Sequence, residues 1–216
     1  MPDPHDILAL CGLLERGEID GPQFFERFTR RLAELIGCSR AGVWMFVDAD
    51  EGRLLRCIAM YDAAVDLMVQ AEDIAYAEDG AYFETLLRDD CVVSPNAQTD
   101  PATVSFLRDY LAPLNIHSLL DVCFSVNGVP FGIFSCEQVG APVAWTQRQL
   151  QLLRQIGSRA SLTLMRAATA NIDTAPGALW ESSGSGPFTP KLPAPPMPPS
   201  LTRLTDWGAD DPDDRS

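Results

Sequence analysis

Lysine is almost absent, with one in 216 residues, and 16 basic residues in all face 30 acidic ones, for a formal charge of −14. A polyanion binder needs basic side chains to displace phosphate counterions, so nucleic acid and anionic membrane surfaces are excluded as partners. Histidine is scarce too, with only His5 and His117. The six cysteines (11, 38, 57, 91, 123 and 136) are scattered and form no CxxC pair. A zinc site would need ligands gathered from distant segments, and a chain of this size does not depend on disulfide staples, so free thiols and no metal are expected. No apolar run approaches the ~18 residues of a membrane-spanning helix, and the chain opens on acidic MPDPHD. A cytoplasmic protein is the expectation. No carboxylate pair, Ser/His/Asp set or phosphate-cradling glycine loop stands at usable spacing, so no enzyme is expected.

What is present divides near residue 171. Eight of the 17 prolines lie between 176 and 199, and five aspartates follow between 206 and 214. Such a composition cannot bury enough apolar surface to offset its ordering entropy, so 171–216 reads as a disordered, Pro-rich, acidic tail suited to a basic protein surface. Residues 20–170 form the expected folded domain, with 1–19 a helical extension that includes a short helix over about 6–16.

After Asp20-Gly21-Pro22, the residues Phe24, Phe25, Phe28, Leu32, Leu35 and Ile36 recur at helical spacing, with Gly37 just past the end. Residues 41–47 (AGVWMFV) and 53–60 (RLLRCIAM) read as a hairpin. The middle, 62–115, shows helical patterns at 76–89 and 102–111 around an extended piece at 91–93. Thr146 and Gln149 fit a capping box that opens a helix to about residue 168.

Residues 118–126 (SLLDVCFSV) and 129–139 (VPFGIFSCEQV) flank Asn127-Gly128, the pair that favours a type I′ hairpin turn. A regular ladder places Val126, Phe124, Val122 and Leu120 opposite Val129, Phe131, Ile133 and Ser135 on one face. The other face then carries Leu119, Asp121, Cys123 and Ser125 with Pro130, Gly132, Phe134 and Cys136. In that register Cys123 and Cys136 stand too far apart for a disulfide. Asp121 is the most informative residue, because a carboxylate among Leu119, Cys123 and Phe134 must find a donor. Trp44, Tyr82 and Phe83 are candidate aromatic walls, with ordinary core as the competing reading. His117 stands at the sheet rim, and Gly132 leaves space above the sheet. Helices bracketing an antiparallel sheet give an α+β domain.

Residues 20–168 resemble a GAF domain. The resemblance is carried by FFERFTRRLAELIGCSRAGVWMF, by TDPATVSFLRDYLAPLNIHSLLDVCFSVNGVPFGIFSCEQVG and by AWTQRQLQLLRQIGSRASLTL. It implies an antiparallel sheet with N- and C-terminal helices on one face and a ligand pocket on the other. The expected site residues are Asp121, Cys123, Phe134, Cys136, Trp44, Tyr82, Phe83 and His117. Bilin-binding members attach chromophore through a Cys beside a His, whereas His117 follows Ile116. The NKxFDE string of cyclic-nucleotide members is absent. Members that reduce free methionine sulfoxide cluster cysteines in the middle segment, where this chain has Cys91 alone, next to Asp89 and Asp90. The expected role is therefore a small-molecule sensor that regulates a signalling partner, since no output domain is recognised. A homodimer is compatible with that role, and the cofactor is unassigned. A ligand-free dimerisation or adaptor module is the alternative, with a thiol-dependent reductase third.

Overall fold

The computed structural model describes residues 4–49, 52–75 and 80–172, so the expected tail lies outside the described residues except for the end of the last helix. Helix α1 (Pro4–Glu15) leads into α2 (Gly21–Ile36). At the start of α2, Asp20 accepts a hydrogen bond from the Gln23 backbone N–H at 2.8 Å, and Gln23 accepts one from the Asp20 N–H at 3.3 Å. This reciprocal cap satisfies two donors that the first turn would otherwise leave free. Gly37 ends the helix in the left-handed region at φ 73°, a conformation that costs glycine nothing. Replacing Asp20 with alanine is expected to cost about 1 kcal/mol. A lower denaturant midpoint with an unchanged slope would report it.

Strands β1 (Arg40–Ala49) and β2 (Gly52–Asp62) pair antiparallel, as their β-branched and aromatic runs predict. The middle segment, ambiguous in sequence, supplies β3 (Leu67–Val69), β4 (Ile74–Ala75), α3 (Gly80–Asp89) and β5 (Cys91–Ser94). The helix expected at 102–111 is a 3-10 turn (Val104–Phe106) continuing as one π-type turn (Leu107–Leu111). Pro101 and Pro113 bound this stretch, and neither has a backbone N–H to donate at its ends. Strands β6 (Ile116–Val126) and β7 (Val129–Val139) complete a seven-stranded antiparallel sheet in the order β3-β2-β1-β7-β6-β5, with β4 beside β2. Helix α4 (Gln147–Ile172) closes the fold. Its capping box forms as expected, with the Gln149 N–H donating to Thr146 Oγ1 at 3.2 Å. The Gln149 side chain also donates to the Ile36 carbonyl, tying the start of α4 to the end of α2.

Helices α1, α2 and α4 cover one sheet face. Phe24, Phe28, Leu32, Leu153 and Ile156 meet Val43, Val122, Phe124 and Phe134 in one buried cluster. The Phe28–Phe134 and Phe124–Phe134 ring centroids lie 5.7 and 5.0 Å apart. The opposite face has its own apolar cluster beneath α3 and the middle segment, formed around Trp44, Leu55, Met60, Tyr82, Phe83 and Ile133.

The β6–β7 ladder differs from the regular register. Asn127 and Gly128 make the expected turn at φ 53° and 78°, and Val126 opposes Val129, but the pairing then skips Phe131. Phe124 opposes Gly132, Val122 opposes Phe134, Asp121 opposes Ser135 and Leu120 opposes Cys136. Pro130 is the physical reason: it has no N–H to donate to the ladder, and in sheets such residues sit at bulges or edges. A one-residue slip reverses every face beyond it. Phe134, Cys136 and Gly132 therefore face the helices, and Ile133, Ser135 and Glu137 take the face assigned to them. The space above Gly132 is filled by Phe124.

Candidate functional site

The corrected register arranges the face beneath α3 as a grid of cross-strand neighbours. One row runs Asp62, Arg40, Glu137, Leu119 and Ser94; the next runs Met60, Gly42, Ser135, Asp121 and Val92; a third joins Cys57, Trp44 and Ile133 to Cys123. Polar groups thus run across the first two rows of this sheet face, and the third row is apolar apart from its thiols. Arg40, Ser94, Asp121, Ser135 and Glu137 are all buried.

Two charged centres result. Arg40 Nη1 lies 2.8 Å from Glu137 Oε2, and Arg40 Nε lies 3.4 Å from Asp62 Oδ2. The Tyr110 hydroxyl, delivered by the π-type turn, donates to Glu137 Oε1. Such turns inside helical segments often mark functional positions. Burial alone would lower the Arg40 pKa, but Glu137, Tyr110 and Asp62 hold it above the ordinary value, so Arg40 stays a cation. Burial and the Glu137 charge push the Tyr110 phenol up, keeping it a neutral donor.

The second centre is Asp121, whose Oδ2 accepts from the Tyr82 hydroxyl of α3 at 2.7 Å. Burial pushes the Asp121 carboxyl up to about 7, against the lowering pull of Ser135 and Tyr82. Because the folded value lies above the unfolded one, the native state holds a proton that the unfolded chain has lost between about pH 4 and 7. Stability contributed by this group therefore falls as pH rises through that window, by up to ~1.4 kcal/mol per pH unit, and levels off above it. Asp121→Asn is expected to remove this slope. Unfolding free energies of the two proteins across pH 4–8, subtracted from one another, test it, and parallel curves would contradict the assignment.

Outside the Arg40–Glu137–Asp62 ion pairs, three buried side-chain atoms on this face have no hydrogen-bond partner among the described residues: Trp44 Nε1, Ser94 Oγ and Asp121 Oδ1. Unpaired buried polar atoms are rare and individually costly, which makes this face the candidate site. Aromatic rings roof it. Tyr82 packs edge-on against Phe83 and Phe106 at centroid distances of 5.3 and 5.0 Å.

Of the residues expected from sequence, Asp121, Trp44, Tyr82, Phe83 and Cys123 come together here. Phe134 and Cys136 do not, since both face the helices. His117 is the extra residue of a second irregularity in the β6–β7 ladder at the rim, with Nε2 3.0 Å from Asn115 Oδ1, away from the cluster. Sequence reasoning missed Arg40, Ser94, Tyr110, Ser135 and Glu137. The signal for Glu137 and Ser135 was Pro130, which sets the slip that brings them inward.

The thiols are electrostatically quiet. Burial pushes Cys57 and Cys123 up to about 12, and it raises Cys91 despite Arg154 Nη2 at 3.5 Å from its sulfur. All six cysteines are free. The described residues include no group of three or more His, Cys, Asp or Glu side chains able to hold a metal ion, and no helix among them is long and apolar enough to cross a membrane. A separate open cleft of about 490 Å³ lies among the helices on the far side of the sheet, lined in part by Leu14, Thr163 and Ala167.

The fold is a small α+β domain in which one face of an antiparallel sheet, with buried polar groups on it, lies beneath α3 and the middle segment. The chain belongs to the GAF domain family, a family of sensory and regulatory domains, which it matches over residues 20–164. No curated protein matches the sequence. Among solved structures it resembles the blue-light-absorbing form of the Thermosynechococcus elongatus PixJ GAF domain, with 19% identity over 71% of this chain and 90% of that one and a TM-score of 0.55. It also resembles the GAF domain of an Acinetobacter phosphoenolpyruvate-protein phosphotransferase, with 11% identity over 80% and 99% and a TM-score of 0.57. A third is the free methionine-R-sulfoxide reductase of Neisseria meningitidis, with 11% identity over 78% and 89% and a TM-score of 0.58. At these identities the likeness concerns the fold.

Proposed function

We propose that this chain is a cytoplasmic, small-molecule-sensing regulatory domain, not an enzyme, whose ligand lies on the Arg40–Trp44–Asp121–Glu137 face and whose occupancy is passed to a signalling partner. The three unpaired polar atoms on that face, beside the buried Arg40–Glu137 pair, carry the reading. They comprise a donor on Trp44, an acceptor on Asp121 and a Ser94 hydroxyl that serves as either. Acids outnumber the single cation around the floor, which disfavours an anionic ligand. Aromatic walls and a mixed donor–acceptor floor suit a flat nitrogen heterocycle, neutral or cationic.

Binding would act through the roof. The π-type turn and α3 reach the floor through Tyr110 and Tyr82, so a ligand that takes up those contacts shifts both elements and, through β6 and β7, the packing of α4. Raised thiol pKa values speak against a reductase role, because the thiolate is the reactive form.

Mass spectrometry of small molecules released from gently purified protein, followed by a thermal-shift panel of nitrogen heterocycles, tests the proposal. A ligand present at about 100 times its Kd should stabilise the fold by ~2.7 kcal/mol. Trp44→Phe, which keeps an aromatic ring but removes the indole donor, should weaken that shift. No released molecule and no shift across the panel would favour the ligand-free adaptor instead.

A further inference from the structure

Helix α4 departs from the charge of the rest of the chain. It contains Arg148, Arg154, Arg159 and Arg166 and no acidic residue, in a protein whose net charge is −14. Arg154 turns towards Cys91 and the Asp89 carbonyl. Arg148, Arg159 and Arg166 are exposed and join no ion pair among the described residues, although most other arginines do. Spacings of 7, 4, 3 and 4 align Arg148, Gln155, Arg159, Leu162 and Arg166 along one outward stripe. Leu162, at 44% exposure, is an apolar knob between the last two arginines. At 1.5 Å per residue the stripe runs about 27 Å.

The same chain carries a complementary sequence. Residues 201–214 read LTRLTDWGADDPDD, with five aspartates interleaved with Leu201, Leu204 and Trp207. Between the end of α4 at Ile172 and Asp206 lie residues 173–205, a length of chain whose extended reach, at up to ~3.3 Å per residue, far exceeds the roughly 15 Å back to Leu162. We propose that the acidic segment 201–214 seats on the arginine stripe of its own α4, with aspartates on Arg148, Arg159 and Arg166 and Trp207 against Leu162. Guanidinium groups favour both carboxylates and indole faces, and covalent attachment makes the encounter intramolecular. The contact would occupy the outward face of the C-terminal helix independently of the ligand face.

Trypsin reads this directly on the full chain. Arg203 lies within the proposed docking segment, and Lys191 lies before it as an internal control. Cleavage at Arg203 is expected to run at least about fivefold slower than at Lys191 at low salt, because cleavage tracks the undocked population. The ratio should approach one at about 0.5 M salt, where charge interactions are screened within several ångströms. It should do the same in R148E/R159E/R166E, whose substitutions lie outside the core, with an unchanged melting temperature as the check on folding. Adding lysines at Asp206, Asp210 and Asp211 to that variant should restore protection. Equal cleavage of both sites in the wild type, or a ratio indifferent to the arginine substitutions, would overturn the proposal. So would protection that grows with protein concentration, which would place the segment on a second copy.

Discussion

Glu137→Ala is expected to destabilise the domain by about 3–5 kcal/mol, the cost of leaving a buried charge without its partner. The Arg40 side chain is 5% exposed and Glu137 1%, so neither can turn to water. Removing the carboxylate leaves Asp62, at 3.4 Å, as the one acid paired with Arg40 among the described residues, and strips the Tyr110 hydroxyl of its acceptor. The roof turn should loosen with it. The double variant R40M/E137L is expected to recover much of the loss, because a buried ion pair replaced by apolar groups of similar volume is often neutral. Chemical denaturation of the three proteins checks this. A cost below about 1 kcal/mol for Glu137→Ala would mean that water reaches the pair and that the floor is not closed. If the double variant is stable yet no longer shifts with a ligand that shifts the wild type, the pair is kept for binding and not for folding.

The elements with strong local chemistry were legible. Asp20, Pro22 and Gly37 delimit α2, Thr146 and Gln149 open α4, and Asn127-Gly128 sets the β6–β7 turn. The site was legible only through Asp121, Trp44, Tyr82, Phe83 and Cys123. The other half depends on a register that alternation alone cannot give, because apolar residues occupy both faces of β7. The ladder breaks just past Pro130, after two pairs beyond the turn, and from there inward and outward exchange. Ser135 and Glu137 thereby move onto the floor, and Phe134 and Cys136 move beneath the helices. Arg40 was hidden for a different reason. An arginine beginning a strand reads as a solvated end, and its burial follows only from Asp62 and Glu137 on its two neighbouring strands. The middle segment resisted because its pieces are short, and a 3-10 turn running into a π-type turn has neither of the periods that hydrophobic patterning detects.

Gly132→Ala should be the most damaging small substitution in the sheet, with a loss above about 4 kcal/mol or failure to accumulate folded protein. Beyond the Phe131 bulge, β7 passes so close to β1 that a Cβ on Gly132 would run into the Trp44 carbonyl oxygen, and it would also meet Phe124 Cζ at 2.6 Å and Met45 Sδ at 3.1 Å. The phenyl ring and the thioether can give way; the carbonyl belongs to a central strand held by β2 and β7 and cannot. Trimming the neighbouring ring in Gly132→Ala/Phe124→Leu is therefore expected to restore little, whereas relief by that second change would show that the ring and not the backbone sets the limit. Gly128→Ala is the matched control, because nothing lies within 4 Å of its Cβ position. There the penalty is only that of a positive φ, roughly 1 kcal/mol. The close approach at Gly132 also bears on function. The carbonyl it would displace is that of Trp44, whose indole N–H faces the site, so any Gly132 variant that still folds should lose ligand-induced stabilisation out of proportion to its loss of stability. Gly128→Ala, at the hairpin tip, should keep it.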